Sequence, residues 1–151
     1  MPHPPPTIHA SAVLIGPKAV LIRGPSSSGK SRLAWDLLQA AANGALPFAR
    51  LVADDRAHLE VHANRLLVRP AESLAGMIEV RGLGIRRLAF EPVAVVALIV
   101  DLAAADAARL PVSETEKATI SGITLPRLAV TAGMAALALV LAFLRTAESV
   151  D

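Results

Sequence analysis

The chain has 151 residues, no cysteine, and 15 Lys and Arg against 13 Asp and Glu, for a formal net charge of +2. That length buries most of its apolar surface in one core without staples, and the lack of thiols excludes disulfides and thiolate metal sites. With charge nearly balanced and aromatics at 3%, there is little to grip a phosphate backbone or stack on bases, so no nucleic-acid partner is expected.

The start, MPHPPPTIHA, has no apolar stretch and no Lys or Arg cluster, so it is not a secretory signal. Its prolines predict a disordered lead-in over residues 1–7, with a single domain over 8–151. SAVLIG reads as a short strand, Gly16-Pro17-Lys18 as a turn and AVLIR as a second strand. From Lys30 the pattern Leu33, Trp35, Leu37, Leu38 suits an amphipathic helix that stops near Asn43-Gly44. GALPF is loop, and RLVADDR is a short buried strand with Asp54 and Asp55 at its mouth. HLEVHANRLLVRP alternates about Ala63-Asn64 and predicts a hairpin. GMIEVRGLGI predicts a strand running into a Gly-containing turn, and VAVVALIVDL, the most apolar strand, takes a central place. AADAARLPVSETEKATISG carries no clear period. Residues 128–144, LAVTAGMAALALVLAFL, fall just short of a spanning length and predict a strand end followed by a buried helix rather than a membrane anchor. Strands outnumber helices, and a helix directly follows a strand, so the class is α/β with substantial antiparallel content.

Residues 24–31 read G-P-S-S-S-G-K-S, matching the phosphate-binding pattern G-x-x-x-x-G-K-[ST] between a strand and a helix. In such a loop backbone N–H groups turn inward around phosphate oxygens. Gly24 and Gly29 permit the turn, and Pro25, Ser26, Ser27 and Ser28 complete the cradle. The following helix aims its positive end at the same anion. Lys30 reaches the outer phosphates, and the Ser31 hydroxyl is placed for Mg²⁺. The loop therefore predicts a nucleoside triphosphate, ATP with Mg²⁺. Asp54 and Asp55 end an apolar run where a metal-side acid belongs, and one of the pair is placed to take a proton from an attacking hydroxyl. Which of the two does so stays open. Glu79, between Ile78 and Val80, is either a second metal ligand or the solvent face of an edge strand.

Together, LVADDR after the phosphate loop and IEVRGLGI beyond it resemble the catalytic domain of the HPr kinase/phosphorylase family. The resemblance covers residues 8–127, and the IEVRGLGI run is its most specific part. It implies the family's α/β nucleotide-binding core, similar to that of phosphoenolpyruvate carboxykinase. It also implies an Mg²⁺-ATP-dependent protein serine kinase acting on HPr, the small phosphocarrier of the sugar phosphotransferase system. His9 matches the histidine that orients the catalytic carboxylate, and Lys30 and Ser31 match the loop lysine and metal serine. Asp54 and Asp55 match the acidic pair that holds the base, with Asp55 ranked first, and Glu79 matches the second Mg²⁺ ligand. Arg109 matches a catalytic arginine. The family is cytoplasmic and hexameric, so a homo-oligomer is expected. Full-length members carry a further N-terminal domain, and the expectation here is a short, catalytic-domain form.

The sequence departs from the family at Ser27, which replaces a loop glycine. It departs again at LPRLAVTAGMAA, which stands where a basic segment serves the phosphorylase reaction, so dephosphorylation is expected to be poor. Two rivals fit less well. A small-molecule kinase of the same loop type would show a lid rich in Arg, and only Arg86-Arg87 are adjacent. A nucleotide-sensing regulatory module would keep the metal site without the base, and the Asp54-Asp55 pair argues against that.

Overall fold

A computed structural model describes residues 6–146. The predicted lead-in falls mostly on residues 1–5, outside the described residues. Two antiparallel strands open the fold, β1 (Thr7–Ile15) and β2 (Lys18–Arg23), and the 24–31 loop then leads into helix α1 (Lys30–Ala42). β3 (Ala49–Ala53), β4 (Arg56–His62) and β5 (Arg65–Pro70) follow, and then the short pair β6 (Met77–Val80) and β7 (Gly84–Arg87). The chain continues through β8 (Ala94–Leu102), β9 (Lys117–Ile120), β10 (Ile123–Val130) and α2 (Ala136–Arg145).

β8 is the hub, as its composition predicts. It runs parallel to β2 on one edge and to β10 on the other, and its first residues pair antiparallel with β5. Since β5 pairs with β4, β4 with β1 and β1 with β2, five strands close on themselves at one end of the sheet. At the other end they splay, leaving the C-terminal ends of β2, β8 and β10 side by side. Alternation sorts the side chains into two cores. Val20, Ile22, Leu98, Val100 and Val130 face α1 and α2. Ala19, Leu21, Val96 and Ile99 face into the closed ring with Ala10, Ala12, Ala53 and Ala57. Alanine dominates that inner face because a ring of only five strands has little room inside.

Local chemistry sets the connections. α1 buries Leu33, Ala34, Leu37 and Ala40. It ends in a Schellman motif, with Gly44 left-handed and bonded to Ala41 while Ala45 bonds to Ala40. Ala63 and Asn64 both take positive φ, as a two-residue hairpin turn requires. The 128–144 segment divides into the end of β10 and α2, and no described helix is long and apolar enough to cross a membrane.

Candidate active site

Three elements converge at the splayed end of the sheet: the loop after β2, the end of β3, and the β6–β7 pair. They enclose a cavity of about 640 Å³ lined by residues 26–32 with Trp35, Asp55, Glu79, Val80 and Arg81. Clefts at the C-terminal ends of parallel strands are where α/β sheets hold ligands.

The 24–31 loop packs too tightly for side chains at its start. A Cβ on Gly24 would lie 2.5 Å from Ser28 Oγ and 3.2 Å from the Leu102 carbonyl oxygen. Ser27 holds φ at +65°, the left-handed conformation in which glycine is at ease. Ser28 Oγ is buried without a hydrogen-bond partner among the described residues. Gly29, at φ +100°, is the N-cap of α1 and offers no side chain to it. The first helical bond runs from Leu33 N–H to the Gly29 carbonyl, so the N–H groups of residues 30–32 point beyond the helix end. No acid stands in the first turn to neutralise them. Lys30 Nζ donates to the carbonyls of Gly24 (2.8 Å) and Pro25 (3.0 Å), bracing the loop from inside. An orphaned hydroxyl, an uncapped helix start and a braced lysine suit an oxyanion, and a phosphate fits these donors.

The acid pair splits. Asp54 is 5% exposed, and its carboxylate accepts from Ser11 Oγ (2.7 Å), from Ser31 Oγ (2.8 and 2.9 Å) and from the Glu79 N–H (3.0 Å). Three donors compensate the burial of its charge. Asp55 faces the other way: its side chain is 60% exposed and stands 3.9 Å from His9 Nδ1. The Arg56 N–H bonds to the Asp54 carbonyl at 2.8 Å across Asp55, whose φ is +68°. That is a γ-turn of the rarer, strained kind, centred on an acid. Glu79 is exposed on β6 and lines the same cavity. Among the described residues no group of three His, Cys, Asp or Glu side chains gathers into a metal cage. A cation here would thus draw on the Ser31 hydroxyl, carboxylates and ligand oxygens, as magnesium does at phosphate sites.

Arg109 is not brought to this cavity. It is exposed in the segment after β8 and lines a separate groove of about 1110 Å³ with Lys117, Arg127 and Phe143. An ion-pair chain ties this segment to β10. Arg23 grips Asp101 through two bonds of 2.7 and 2.8 Å, and Arg127 reaches both Asp101 (2.6 Å) and Asp106 (2.9 Å). Burial pushes the Asp101 carboxyl up, but the bonds and charges of Arg23 and Arg127 outweigh it and hold the group below the usual carboxylate range.

Three features of the site escape a reading of the sequence alone. Trp35, which reads as part of the apolar stripe of α1, instead faces the cavity. Arg81 lines it as well. Ser11 lies fully buried behind the acids, and the one signal for it is a hydroxyl set among Ala10, Ala12 and Val13, two residues after His9.

The family model for the HPr Serine kinase C-terminal domain matches residues 4–144. Among solved structures, the chain is similar to the Hpr(Ser) kinase/phosphatase from Coxiella burnetii. Identity is 25% and the TM-score 0.72, over 92% of this chain and 93% of that one. No curated protein matches the chain.

Proposed function

This chain belongs to the HPr serine kinase C-terminal domain family, and we propose that it is an Mg²⁺-ATP-dependent protein serine kinase whose acceptor is an HPr-like phosphocarrier of the phosphotransferase system. The observation that carries the reading is the division of the acid pair, with Asp54 bonded to Ser31 and Asp55 exposed at the cavity beside His9. When bound, magnesium-ATP supplies the transferable phosphoryl group and neutralising charge. The 24–31 backbone and the uncapped start of α1 cradle the phosphates. Lys30 exchanges the carbonyls of Gly24 and Pro25 for phosphate oxygens and offsets the charge that develops during transfer. Ser31 donates a hydrogen bond to Asp54, which would leave its oxygen lone pairs free to hold the metal, with Glu79 as the second ligand. Asp55 takes the proton of the acceptor serine, and His9 orients that carboxylate.

The reading takes residues 8–151 as one catalytic domain working in the cytoplasm as a homo-oligomer, a hexamer by resemblance. Exposed apolar side chains at Leu110, Val112 and Phe143 support a face covered by another subunit. It is a kinase that removes phosphate poorly. The reverse reaction sets inorganic phosphate beside a phosphoserine, and two anions repel unless cations face them. Arg127 is committed to Asp101 and Asp106, and no Lys or Arg follows it before Arg145. The test incubates the protein with γ-labelled ATP, Mg²⁺ and HPr and maps the modified residue by mass. Label on one HPr serine is expected, and nucleotide binding without transfer to HPr would overturn the reading.

A further inference from the structure

Strand β1 runs antiparallel past the whole acid turn. Its residues 7–9 pair with β4 and, in the same register, Ala12 pairs with Ala53 of β3. Ala10 and Ser11 therefore lie opposite Asp55 and Asp54. The ladder is only half made there: the Ala10 N–H reaches the Asp55 carbonyl at 3.1 Å, while the γ-turn draws the rest of Asp55 out of strand geometry. Opening a ladder in this way orphans a backbone donor, the Asp55 N–H. Ser11 supplies the acceptor. Its side chain is 0% exposed, and its Oγ accepts from Asp55 N–H at 3.2 Å while donating to Asp54 Oδ1 at 2.7 Å.

One hydroxyl thus touches both acids at different atoms, the side chain of one and the backbone of the other. We propose that Ser11 is the positioning residue that divides the pair. Its hydroxyl turns the Asp54 carboxylate inward to Ser31 and pins the Asp55 turn so that the Asp55 carboxylate faces the cavity. The inference rests on the kinase reading for its effect on rate, but its geometric half stands apart from that reading. Asp54 keeps two other donors, Ser31 Oγ and Glu79 N–H, when the Ser11 hydroxyl is removed. The Asp55 N–H keeps none that the structure shows. Loss of the hydroxyl therefore falls on the aim of Asp55 far more than on the hold of nucleotide and metal.

The experiment uses the full chain and its Ser11→Ala variant, with two readouts. The first is hydrogen exchange of the Asp55 amide by NMR, which needs no substrate. Exchange about tenfold faster than in the native protein, with neighbouring β1 amides unchanged, is expected. Equal exchange would overturn the proposal whatever the enzyme does. The second is transfer to HPr. In Ser11→Ala, kcat should fall by about 10- to 100-fold, the scale of a misaligned reacting group. Mg²⁺-ATP affinity, read from the emission of Trp35, should stay within about threefold, because Asp54 retains two of its donors. A double-mutant cycle removes the ambiguity of a structural effect. If Ser11 acts through Asp55, adding Ser11→Ala to Asp55→Ala costs no further rate. Multiplicative losses, or a fall in affinity that accounts for the whole rate loss, would overturn it. A native chain that labels no HPr, but whose Asp55 amide responds as described, would retire the kinase reading and leave the Ser11 clamp standing.

Discussion

Replacing Gly24 by Ala tests whether the loop is a rigid cradle. The new methyl would sit 2.5 Å from Ser28 Oγ, and 3.2 Å from both Cβ and the carbonyl oxygen of Leu102. The Ser28 hydroxyl can rotate, but Leu102 cannot retreat. It ends β8, which is paired with β2 through Asp101 on one side and with Val130 of β10 on the other. The loop must therefore move, and overpacking of this kind costs about 1–3 kcal/mol. The midpoint, about 2 kcal/mol, lowers Tm by roughly 4–8 °C in a chain of this size. Because the strain acts where the phosphates are proposed to sit, Mg²⁺-ATP affinity should also fall by about tenfold or more. The assay is calorimetric unfolding together with titration of Trp35 emission. Gly16→Ala is the control. Gly16 also has positive φ, at +60°, but nothing lies within 4 Å of its Cβ position, so it should lose about 1 kcal/mol of backbone preference and no affinity. If the two variants match in both Tm and affinity, the loop is a yielding connection and the cradle argument fails.

Lys30→Ala should cost on the order of 10²–10³ in transfer rate while the chain stays folded by circular dichroism; native turnover would show that the loop is only a linker. Asp55→Asn should keep Mg²⁺-ATP binding and lose turnover, whereas Asp54→Asn should weaken Mg²⁺ dependence and affinity, and equal small effects would dissolve the two roles. Asp101→Asn should destabilise by about 2–3 kcal/mol at pH 7, since it strands the guanidinium of Arg23 and weakens that of Arg127. The Asp101 pKa is depressed in the folded state, so its stabilisation is complete above the ordinary carboxylate pKa and fades as pH falls below about 4. Urea midpoints of variant and native protein should converge there, and a constant gap from pH 7 to pH 3 would refute the ion-pair account.

The elements that were legible in the sequence are those with one strong local cause. Gly44 after an apolar stripe marks the end of α1, Ala63-Asn64 marks a tight hairpin, and an unbroken apolar run marks β8 as central. Closure of five strands into a ring was not legible, because pairing between β5 and β8 rests on two residue pairs distant in sequence. The alanines that permit it look like ordinary strand residues one at a time. Trp35 misleads because spacing cannot distinguish an apolar residue facing the core from one facing a cleft. Arg109 stands away from the cavity, in a segment that Arg127 holds through Asp106, and a pairing that distant in sequence leaves no local signal.

The acid pair shows most plainly where sequence reasoning stops. Two identical side chains at adjacent positions differ in no property that composition or spacing records. What separates them is one backbone angle. With Asp55 in strand geometry, its N–H would pair along β1. Its φ of +68° instead spends a ladder bond on a γ-turn, and such strain persists only where surrounding contacts over-determine it. The contacts here are the Arg56 N–H on the Asp54 carbonyl, the Ala10 N–H on the Asp55 carbonyl and the Ser11 hydroxyl on the Asp55 N–H. All three come from β1 or from the turn itself, and β1 also carries His9. One strand thus supplies the neighbour of the exposed acid, one of the three donors to the buried one and the anchor of the turn between them. That makes β1, rather than the loop the sequence advertises, the element on which the proposed division of labour between the two acids depends.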